Sequence, residues 1–395
     1  MEFGWAEEHE QFRAEVRGFI QKQRTPALLA EMSRRGEDGG EEAQGQSGPE
    51  VRKFRDALKE AGYATMSWPK EYGGQGKGGF FSFILSEELG YWGLPFDSLS
   101  VNSVGATILG FGTEEQKKKW LPDIQSGDMT FALGYTEPNA GTDLASLQTR
   151  AVRDGDEWVI NGQKIYTSAA HVATHVWLSA RTNPDAPKHR GISMFVIPMN
   201  TPGISVRPLH TMGGMRTNET FWEDVRVPAD SLVGEEDRGW YMSANALDLE
   251  RVVISPAAPA LRRFERFVDY IKEEREDLID DPYLRMQVAE AKLDVEIARA
   301  LATTNAAIIA NGGVPTMEAS LGKVWVSEMA HRVTSAGMDL FGGFGGLKRA
   351  SGEYAVLEGT FESGFLGSPV LRFGGGTNDI QRRIIATRGL GLPRG

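Results

Sequence analysis

The chain contains no cysteine among its 395 residues. A disulfide framework, a thiol nucleophile and a thiolate metal site are therefore excluded, and no other metal site is expected. The chain also lacks any run of about 18 apolar residues, the length that a membrane-spanning helix needs. Its first residues carry Glu2, Glu7, Glu8 and Glu10, which is unlike a signal peptide. We therefore expect a cytoplasmic protein.

The chain has fewer basic residues than acidic residues. The chain has 43 Lys and Arg against 54 Asp and Glu, a formal net charge of −11. Nucleic acids and anionic membranes prefer basic surfaces, so both are excluded as partners. An anionic ligand must instead be held by a local group of Lys or Arg. With 41% apolar and 25% charged residues, the composition is that of a globular protein. Its length predicts two or three packed units.

The hydrophobic pattern changes twice along the chain. Phe12, Val16, Phe19 and Ile20 lie on one face of a helix, and helical spacing recurs over 50–61, 80–89 and 114–120. Between about 130 and 235, short alternating segments predict strands, whereas residues 35–50, rich in Gly, Glu and Gln, predict an exposed loop. The predicted strands are 157–160, 176–181, 193–198 and 204–208, and the later helices are 241–253, 260–276, 283–311 and 316–339.

This order of elements predicts an α+β fold with segregated parts. We expect an N-terminal helical domain over 1–129, a small central domain resembling a β-barrel over 130–236, and a C-terminal four-helix bundle over 237–395. Within the central domain, Asp154-Gly155-Asp156 and Asn161-Gly162 predict hairpin turns, since Asp or Asn followed by Gly readily adopts positive φ.

The stretch 131–168 carries a group of residues suited to a planar ligand that bears phosphate. It combines a Gly-containing turn at 139–143, the hydroxyl of Thr142, the aromatic ring of Tyr166 and the hydroxyl of Ser168. Spacing alone makes this a suggestion of cofactor binding.

Two motifs in this stretch resemble the flavin-contacting signature of the acyl-CoA dehydrogenase family. They are YTEPNAGTD (135–143) and NGQKIYTS (161–168). The likeness continues, in the family's order, over nearly the whole chain. The further segments are WPKEYGGQG (68–76), TEEQKKKWLPDIQSGD (113–128), FWEDVRVPADSLVGEEDRGW (221–240), LDLER (247–251), LFGGFGG (340–346) and GGGTNDIQRRIIATRGLG (374–391). The resemblance implies FAD, an acyl-CoA substrate of fatty acid or steroid side-chain metabolism, and electron-transfer flavoprotein as the electron acceptor.

Members of this family remove the α-proton of an acyl thioester with a carboxylate while a hydride leaves the β-carbon. The C-terminal motif that commonly supplies the glutamate reads Gly374 to Thr377 here, with Gly375 at the glutamate position. The resemblance to isovaleryl-CoA dehydrogenase-like members implies Glu250 as the base, with Arg251 beside the substrate. It also implies that the Gly375 N–H helps to hold the thioester oxygen. A solvated charge cluster of Asp248, Glu250 and Arg251 is the competing interpretation.

The same resemblance implies the cofactor contacts. Tyr135 and Thr136 would lie along the flavin ring, Tyr166 and Ser168 near its reactive edge, and Thr142 at the pyrophosphate. A helix start after glycines could add amide and hydroxyl donors. The full set of implied cofactor contacts is Tyr135, Thr136, Gly141, Thr142, Tyr166, Ser168, Arg275, Gly342, Gly343, Thr377 and Asn378.

Two departures from the family pattern concern the neighbouring subunit's cofactor. The family's Arg-x-x-Phe-Gly element is missing, and Arg275 is the one candidate for its arginine. Asp339 stands where a glutamine is usual, and its negative charge is a poor neighbour for a diphosphate. This pattern is similar to the α2β2 acyl-CoA dehydrogenases of steroid side-chain degradation, which have fewer flavin sites than subunits. A homotetramer remains the alternative assembly.

Three other functions stay open at this point. A flavin monooxygenase of the same fold would need no α-proton base, and Glu250 argues against it. An acyl-CoA oxidase would share the base but react with oxygen. A structural partner subunit would leave the active site to another chain, which the intact YTEPNAGTD motif opposes.

Overall fold

The computed structural model describes residues 5–37, 48–97, 99–243 and 257–393, and for 33–37 the backbone alone. Its first part is helical, as predicted. Within 35–50, residues 35–37 are helical and 49–50 begin the next helix, while 38–47 lie outside the described residues. The N-terminal helices are α1 (Glu7–Gln23), α2 (Pro26–Glu37), α3 (Pro49–Glu60), α4 (Phe80–Trp92), α5 (Ala106–Phe111) and α6 (Glu114–Ser126), with a π-helical segment, Leu99–Gly105, before α5.

Local signals explain these helices. In α1, Phe12, Val16 and Ile20 are buried on one face, as their spacing predicts. At the start of α6, the Thr113 side chain accepts from the Gln116 backbone N–H while Gln116 reaches back to the Thr113 N–H. This capping box satisfies two donors that the first helical turn leaves open. The helix then continues to Ser126, past its predicted end.

The central part is a seven-stranded sheet. Its order is β1-β4-β2-β3-β7-β6, and β5 pairs with β4 off this path, so the sheet curls into a half-barrel. The strands are β1 (Phe131–Gly134), β2 (Arg150–Asp154), β3 (Glu157–Lys164), β4 (His175–Arg181), β5 (Ile192–Pro198), β6 (Ile204–His210) and β7 (Arg216–Pro228).

One predicted hairpin is confirmed and the other is wrong. Strands β2 and β3 pair across Asp154 and Glu157, and Gly155 has φ of 63° in the turn. Gly162 instead lies inside β3, where the register against β7 shifts between Ile160 and Gly162. A Cβ at Gly162 would lie 2.4 Å from Thr149 Oγ1. The Asn-Gly pair therefore forms a β-bulge that lets another backbone approach closely.

The C-terminal part is a helical bundle, and the helices predicted at 260–276, 283–311 and 316–339 have bounds within two residues of those predictions. The bounds of its last two helices were not predicted. Residues 239–243 are helical, and the rest of the predicted helix 241–253 lies outside the described residues. The helices are α7 (Ala258–Glu274), α8 (Pro282–Ala310), α9 (Met317–Phe341), α10 (Thr360–Leu371) and α11 (Asn378–Ile384). The predicted α+β class with flanking helical domains is confirmed.

Apolar clusters join the three parts. Trp68, in the loop after α3, and Trp120 of α6 share one core with Phe131 and Trp177 of the sheet. On the other side, the loop between β6 and β7 meets α10, where a Cβ on Gly213 would lie 2.8 Å from the Gly367 Cα. Because the backbones are this close, glycine at 213 allows the sheet and the bundle to meet.

Candidate active site

The ends of β1 and β3 bring four of the predicted cofactor contacts together. Lys164 Nζ, at the end of β3, donates to the Tyr135 carbonyl at 3.0 Å. The next residue, Ile165, donates its N–H to the Thr136 carbonyl at 2.8 Å. Tyr135 and Thr136 therefore lie beside the segment that carries Tyr166 and Ser168.

A buried carboxylate holds the adjacent turn. Glu137 accepts from Lys164 Nζ at 2.9 Å and from the backbone N–H groups of Gln148 and Thr149 at 2.6 and 2.8 Å. Its own N–H and C=O bond to Ala140, which closes the tight turn from 137 to 140. The exposed Gly141 and Thr142 follow directly on this turn.

The Glu137–Lys164 pair has a clear electrostatic basis. Burial alone would raise the pKa of Glu137, but the Lys164 ammonium and the two backbone N–H groups outweigh it and lower that pKa. Burial lowers the pKa of Lys164 to about 8, although Glu137 acts in the opposite direction. Both groups are charged at neutral pH, so the pair fixes this corner of the sheet. Sequence reasoning missed this pair, although Glu137 lies within the motif 135–143 and Lys164 within the motif 161–168.

Tyr166 is presented outward by an unusual backbone. Its φ is 59°, in the left-handed region that residues with a Cβ seldom adopt, and the residue is 64% exposed. Ser168 donates its N–H to the Tyr166 carbonyl, and its hydroxyl lies 3.0 Å from that of Thr217. Such strain is retained where a site needs it, so this exposed ring is a candidate ligand surface.

The second group of predicted residues lies in the turn between α10 and α11. Gly375 and Gly376 have φ of 66° and 88°. Gln381 Nε2 donates to the Gly375 carbonyl at 3.1 Å. Within the described part of the chain, the Gly375 N–H makes no hydrogen bond. The turn thus presents a backbone donor and carries no carboxylate from 372 to 377.

Thr377 and Asn378 are engaged within the protein. The Thr377 hydroxyl caps α11 by accepting from the Ile380 N–H. Asn378 is buried, and its Oδ1 accepts from Lys323 Nζ of α9 at 2.7 Å. Lys323 also donates to the Arg372 carbonyl at 3.2 Å. A ligand can therefore meet the Thr377 O–H or the backbone here more readily than the Asn378 amide.

A third group lies at the carboxyl ends of α7 and α9. These ends pack together through Tyr270 and Phe341, whose ring centroids are 5.4 Å apart. Arg275 follows α7 and is engaged by the Asp277 carboxylate through two hydrogen bonds of 2.9 Å. Gly342 and Gly343 follow α9 and are exposed.

Two predicted residues, Glu250 and Arg251, lie outside the described residues. Among the described residues, no cluster of His, Asp and Glu could hold a metal ion. In the same ranges, no helix combines the length and the apolar character needed to cross a membrane.

The fold and this site together define a flavoprotein with helical domains on both sides of a curled sheet. The donor set fits a flavin nucleotide: Tyr166 offers an exposed aromatic face, and Thr142 and Ser168 offer exposed hydroxyls at the same corner. This chemistry suits a planar ring with a phosphate tail.

Comparison with known proteins identifies the family. The acyl-CoA dehydrogenase N-terminal, middle and C-terminal domain models match residues 6–128, 132–225 and 237–390. The chain is 38% identical to acyl-CoA dehydrogenase FadE26 of Mycobacterium tuberculosis, over all of this chain and 99% of that one. It therefore belongs to the acyl-CoA dehydrogenase family. It is an oxidoreductase that acts on CH–CH groups, and its cofactor is FAD.

Two solved structures extend the similarity to three dimensions. The Tcur3481-Tcur3483 steroid ACAD superposes with a TM-score of 0.89 at 38% identity and full coverage of both chains. The ChsE4-ChsE5 complex from Mycobacterium tuberculosis gives a TM-score of 0.88 at 36% identity, again with full coverage. The fatty acid or steroid setting expected from the resemblance is thereby confirmed at the level of the family.

Proposed function

We propose that this chain introduces an α,β-double bond into an acyl-CoA thioester, with Glu250 as the base that takes the α-proton. When bound, FAD supplies at N5 the acceptor for the hydride that leaves the β-carbon, and the electrons pass to electron-transfer flavoprotein. The cofactor contacts proposed are Tyr135, Thr136, Gly141, Thr142, Tyr166, Ser168, Gly342, Gly343, Thr377 and Asn378, with Arg251 at the substrate.

The observation that carries this proposal is the turn at Gly374–Gly376. In the family resemblance, this turn holds the thioester oxygen through a backbone N–H, and the Gly375 N–H has no partner within the described chain. A donor aimed at an oxygen on which charge develops stabilises the transition state. Because Gly375 has no side chain, the proton must go to another carboxylate, for which Glu250 is the candidate.

The acyl group proposed is bulky or branched, as a steroid side chain is. Three consecutive glycines leave room beside the thioester that a tyrosine and a glutamate would fill. The steroid ACAD named above is similar to this chain over its whole length, which supports the same class of substrate here.

Replacement of the proposed base tests the chemistry directly. We expect Glu250→Gln to retain FAD and to lose turnover by about 10²–10⁴-fold, the usual contribution of a positioned base. The measurement is anaerobic bleaching of the flavin by acyl-CoA substrates. Asp248→Asn, two residues away, is the matched control and keeps its activity. Equal behaviour of the two variants would favour the solvated charge cluster and reject Glu250 as the base.

We also infer an α2β2 assembly with a related second chain, with the homotetramer as the alternative. The Arg275 guanidinium is occupied by Asp277 of its own chain, and Asp339 lies three residues before Gly342. Neither feature favours contact with the diphosphate of an FAD that is bound by a neighbouring subunit. The ChsE4-ChsE5 structure is itself a complex of two differently named chains, which supports this inference.

The second candidate function is that of an acyl-CoA oxidase, in which the electrons pass to oxygen. It would share Glu250 and the Gly375 donor, so the two activities differ only in the acceptor. Turnover under air with stoichiometric peroxide would identify an oxidase. Turnover that depends on electron-transfer flavoprotein and gives no peroxide would identify the dehydrogenase proposed here.

A further inference from the structure

A cavity of about 210 Å³ lies where the end of α4 meets α7 and the segment before α10. Its wall includes Tyr91, Trp92, Arg262, Arg263, Arg266 and Thr360. The volume holds several waters, since each occupies about 30 Å³ in the liquid. None of the lining residues belongs to the candidate active site, so the cavity is a separate feature.

Positive charge concentrates around this cavity. Two guanidinium groups lie against the Trp92 ring, that of Arg24 at 3.9 Å and that of Arg262 at 4.3 Å from its centroid. Arg263 and Arg266, on the same helix as Arg262, complete the group. Four arginines at one place are unusual in a chain with a net charge of −11.

The described residues provide little compensating negative charge. Glu265 is the acidic neighbour on α7, and its carboxylate is engaged by the Tyr91 hydroxyl. Arg263 has neither an ion pair nor a hydrogen bond within the described ranges, and burial lowers the pKa of its guanidinium. Burial, and then the repulsion of Arg24, lower the pKa of Arg262. Arg262 and Arg263 are thus partly removed from solvent, and no carboxylate of the described residues forms an ion pair with either of them.

Arg262 and Arg263 are half-buried. Because a partly desolvated cation without a partner is costly, an arginine group of this kind is stabilised by a bound anion. The guanidinium fork donates two parallel N–H groups, which match the oxygens of a phosphate or a carboxylate. The aromatic rings of Tyr91 and Trp92 lie against the Arg262 guanidinium, which also donates a hydrogen bond to the Tyr91 hydroxyl. Its other N–H groups remain to bind a ligand.

We propose that this cavity is a binding site for the oxyanion group of a small molecule, a phosphate or a carboxylate. Arg262 and Arg263 form its inner wall, and the exposed Arg266 lies at its mouth. The site goes beyond the proposed dehydrogenation, because it uses none of the residues assigned to that reaction.

Calorimetric titration of the FAD-loaded enzyme tests the proposal. The probes are inorganic phosphate, diphosphate, succinate and citrate, at constant ionic strength set with KCl. We expect saturable binding of the two phosphates, of the two carboxylates, or of both. The class of probe that binds more tightly shows whether the ligand's oxyanion group is a phosphate or a carboxylate. Arg263→Gln and Arg266→Gln each raise the dissociation constant by at least about tenfold, since each removes a charged hydrogen-bond donor.

Arg52→Gln is the matched control. Arg52 is an exposed arginine on α3, outside the cavity, and its loss leaves the dissociation constant unchanged. Because Arg266 is exposed, its replacement leaves the fold intact, which the flavin spectrum and the melting temperature check. Absence of saturable binding by all four probes overturns the proposal, as does binding by the two cavity variants that is as tight as in Arg52→Gln.

Discussion

At the scale of single residues, the Glu137–Lys164 pair is the main support of the proposed flavin corner. One ammonium connects the Tyr135 carbonyl with the Glu137 carboxylate, and that carboxylate also holds two backbone N–H groups. The turn with Gly141 and Thr142 and the strand end before Tyr166 are thus held by the same two side chains. Loss of either charge leaves the other buried without an ion of opposite sign.

We predict that Glu137→Gln weakens both the fold and FAD binding. Removing one member of a buried ion pair costs about 3–5 kcal/mol, because the remaining ion stays desolvated. Thermal melts of the apoprotein measure the first effect, and fluorescence titration with FAD measures the second. The double variant Glu137→Gln/Lys164→Met removes both charges and loses less stability than the single variant. If Glu137→Gln were as stable as the double variant, the unpaired Lys164 ammonium would cost no stability, which would contradict this role of the ion pair.

The same pair predicts a stability that depends on pH. The folded-state pKa of Glu137 lies below its ordinary value of 4.5. Its contribution is therefore fully present above pH 4.5 and is lost as the pH falls through the lowered folded-state pKa. The melting temperature of the wild type should fall over this acidic interval by more than that of the double variant.

At the scale of elements, the turn between α10 and α11 is held from behind by α9. Lys323 donates to Asn378 and to the Arg372 carbonyl, one at each end of the glycine turn. Asn378 in turn donates to Ser327 Oγ at 3.0 Å and to Glu328 Oε1 at 3.3 Å. This network keeps the Gly375 N–H in place although the glycines themselves are flexible.

We predict that Lys323→Met lowers kcat more than it raises KM. Loss of the two donors lets the turn move, and a displaced Gly375 N–H stabilises the transition state less well. The stability should fall by about 1–3 kcal/mol for the buried acceptors left unpaired. Steady-state kinetics with flavin content as a check measure this. Ser327→Ala keeps both Lys323 contacts and is the mild control; unchanged kcat in Lys323→Met would contradict the positioning role.

The spacing of apolar residues in the sequence predicted helices correctly where one face of the helix is buried. Phe12, Val16 and Ile20 predicted α1 because an apolar stripe at helical spacing must face a core. The Asn161-Gly162 pair was misread, since a hairpin turn and a bulge both need glycine, and only the pairing of Gly162 against Thr149 and β7 tells them apart. Contacts distant in sequence, such as Lys323 with Asn378, leave no local signal and could not be predicted.

At the scale of the whole molecule, the change from helical to alternating and back to helical patterns predicted the three-part fold. The domain limits at 129 and 236 stay predictions. The candidate site was predicted residue by residue from motif resemblance, and the structure gathers six of those residues at one corner of the sheet. No sequence pattern indicated the Glu137–Lys164 ion pair that supports this corner, because its burial depends on the three-dimensional fold.

The proposed assembly makes a prediction about Arg275. If this chain offers no second half of a flavin site, Arg275→Gln leaves the FAD content per chain unchanged. Asp277→Asn is the companion variant: it frees the guanidinium from an exposed ion pair, and FAD content again stays the same. Absorbance at flavin wavelengths per protein, combined with mass determination in solution, measures both. Loss of FAD in Arg275→Gln would favour the homotetramer.

Anaerobic titration of the purified, FAD-containing protein with straight-chain, branched and steroid acyl-CoAs is the most direct test of acyl-CoA dehydrogenation. We predict that at least one bulky acyl-CoA bleaches the flavin absorbance of the wild type and that Glu250→Gln is not bleached. A protein that retains its FAD but is reduced by none of these thioesters, alone or after addition of a related second chain, would contradict the proposed reaction.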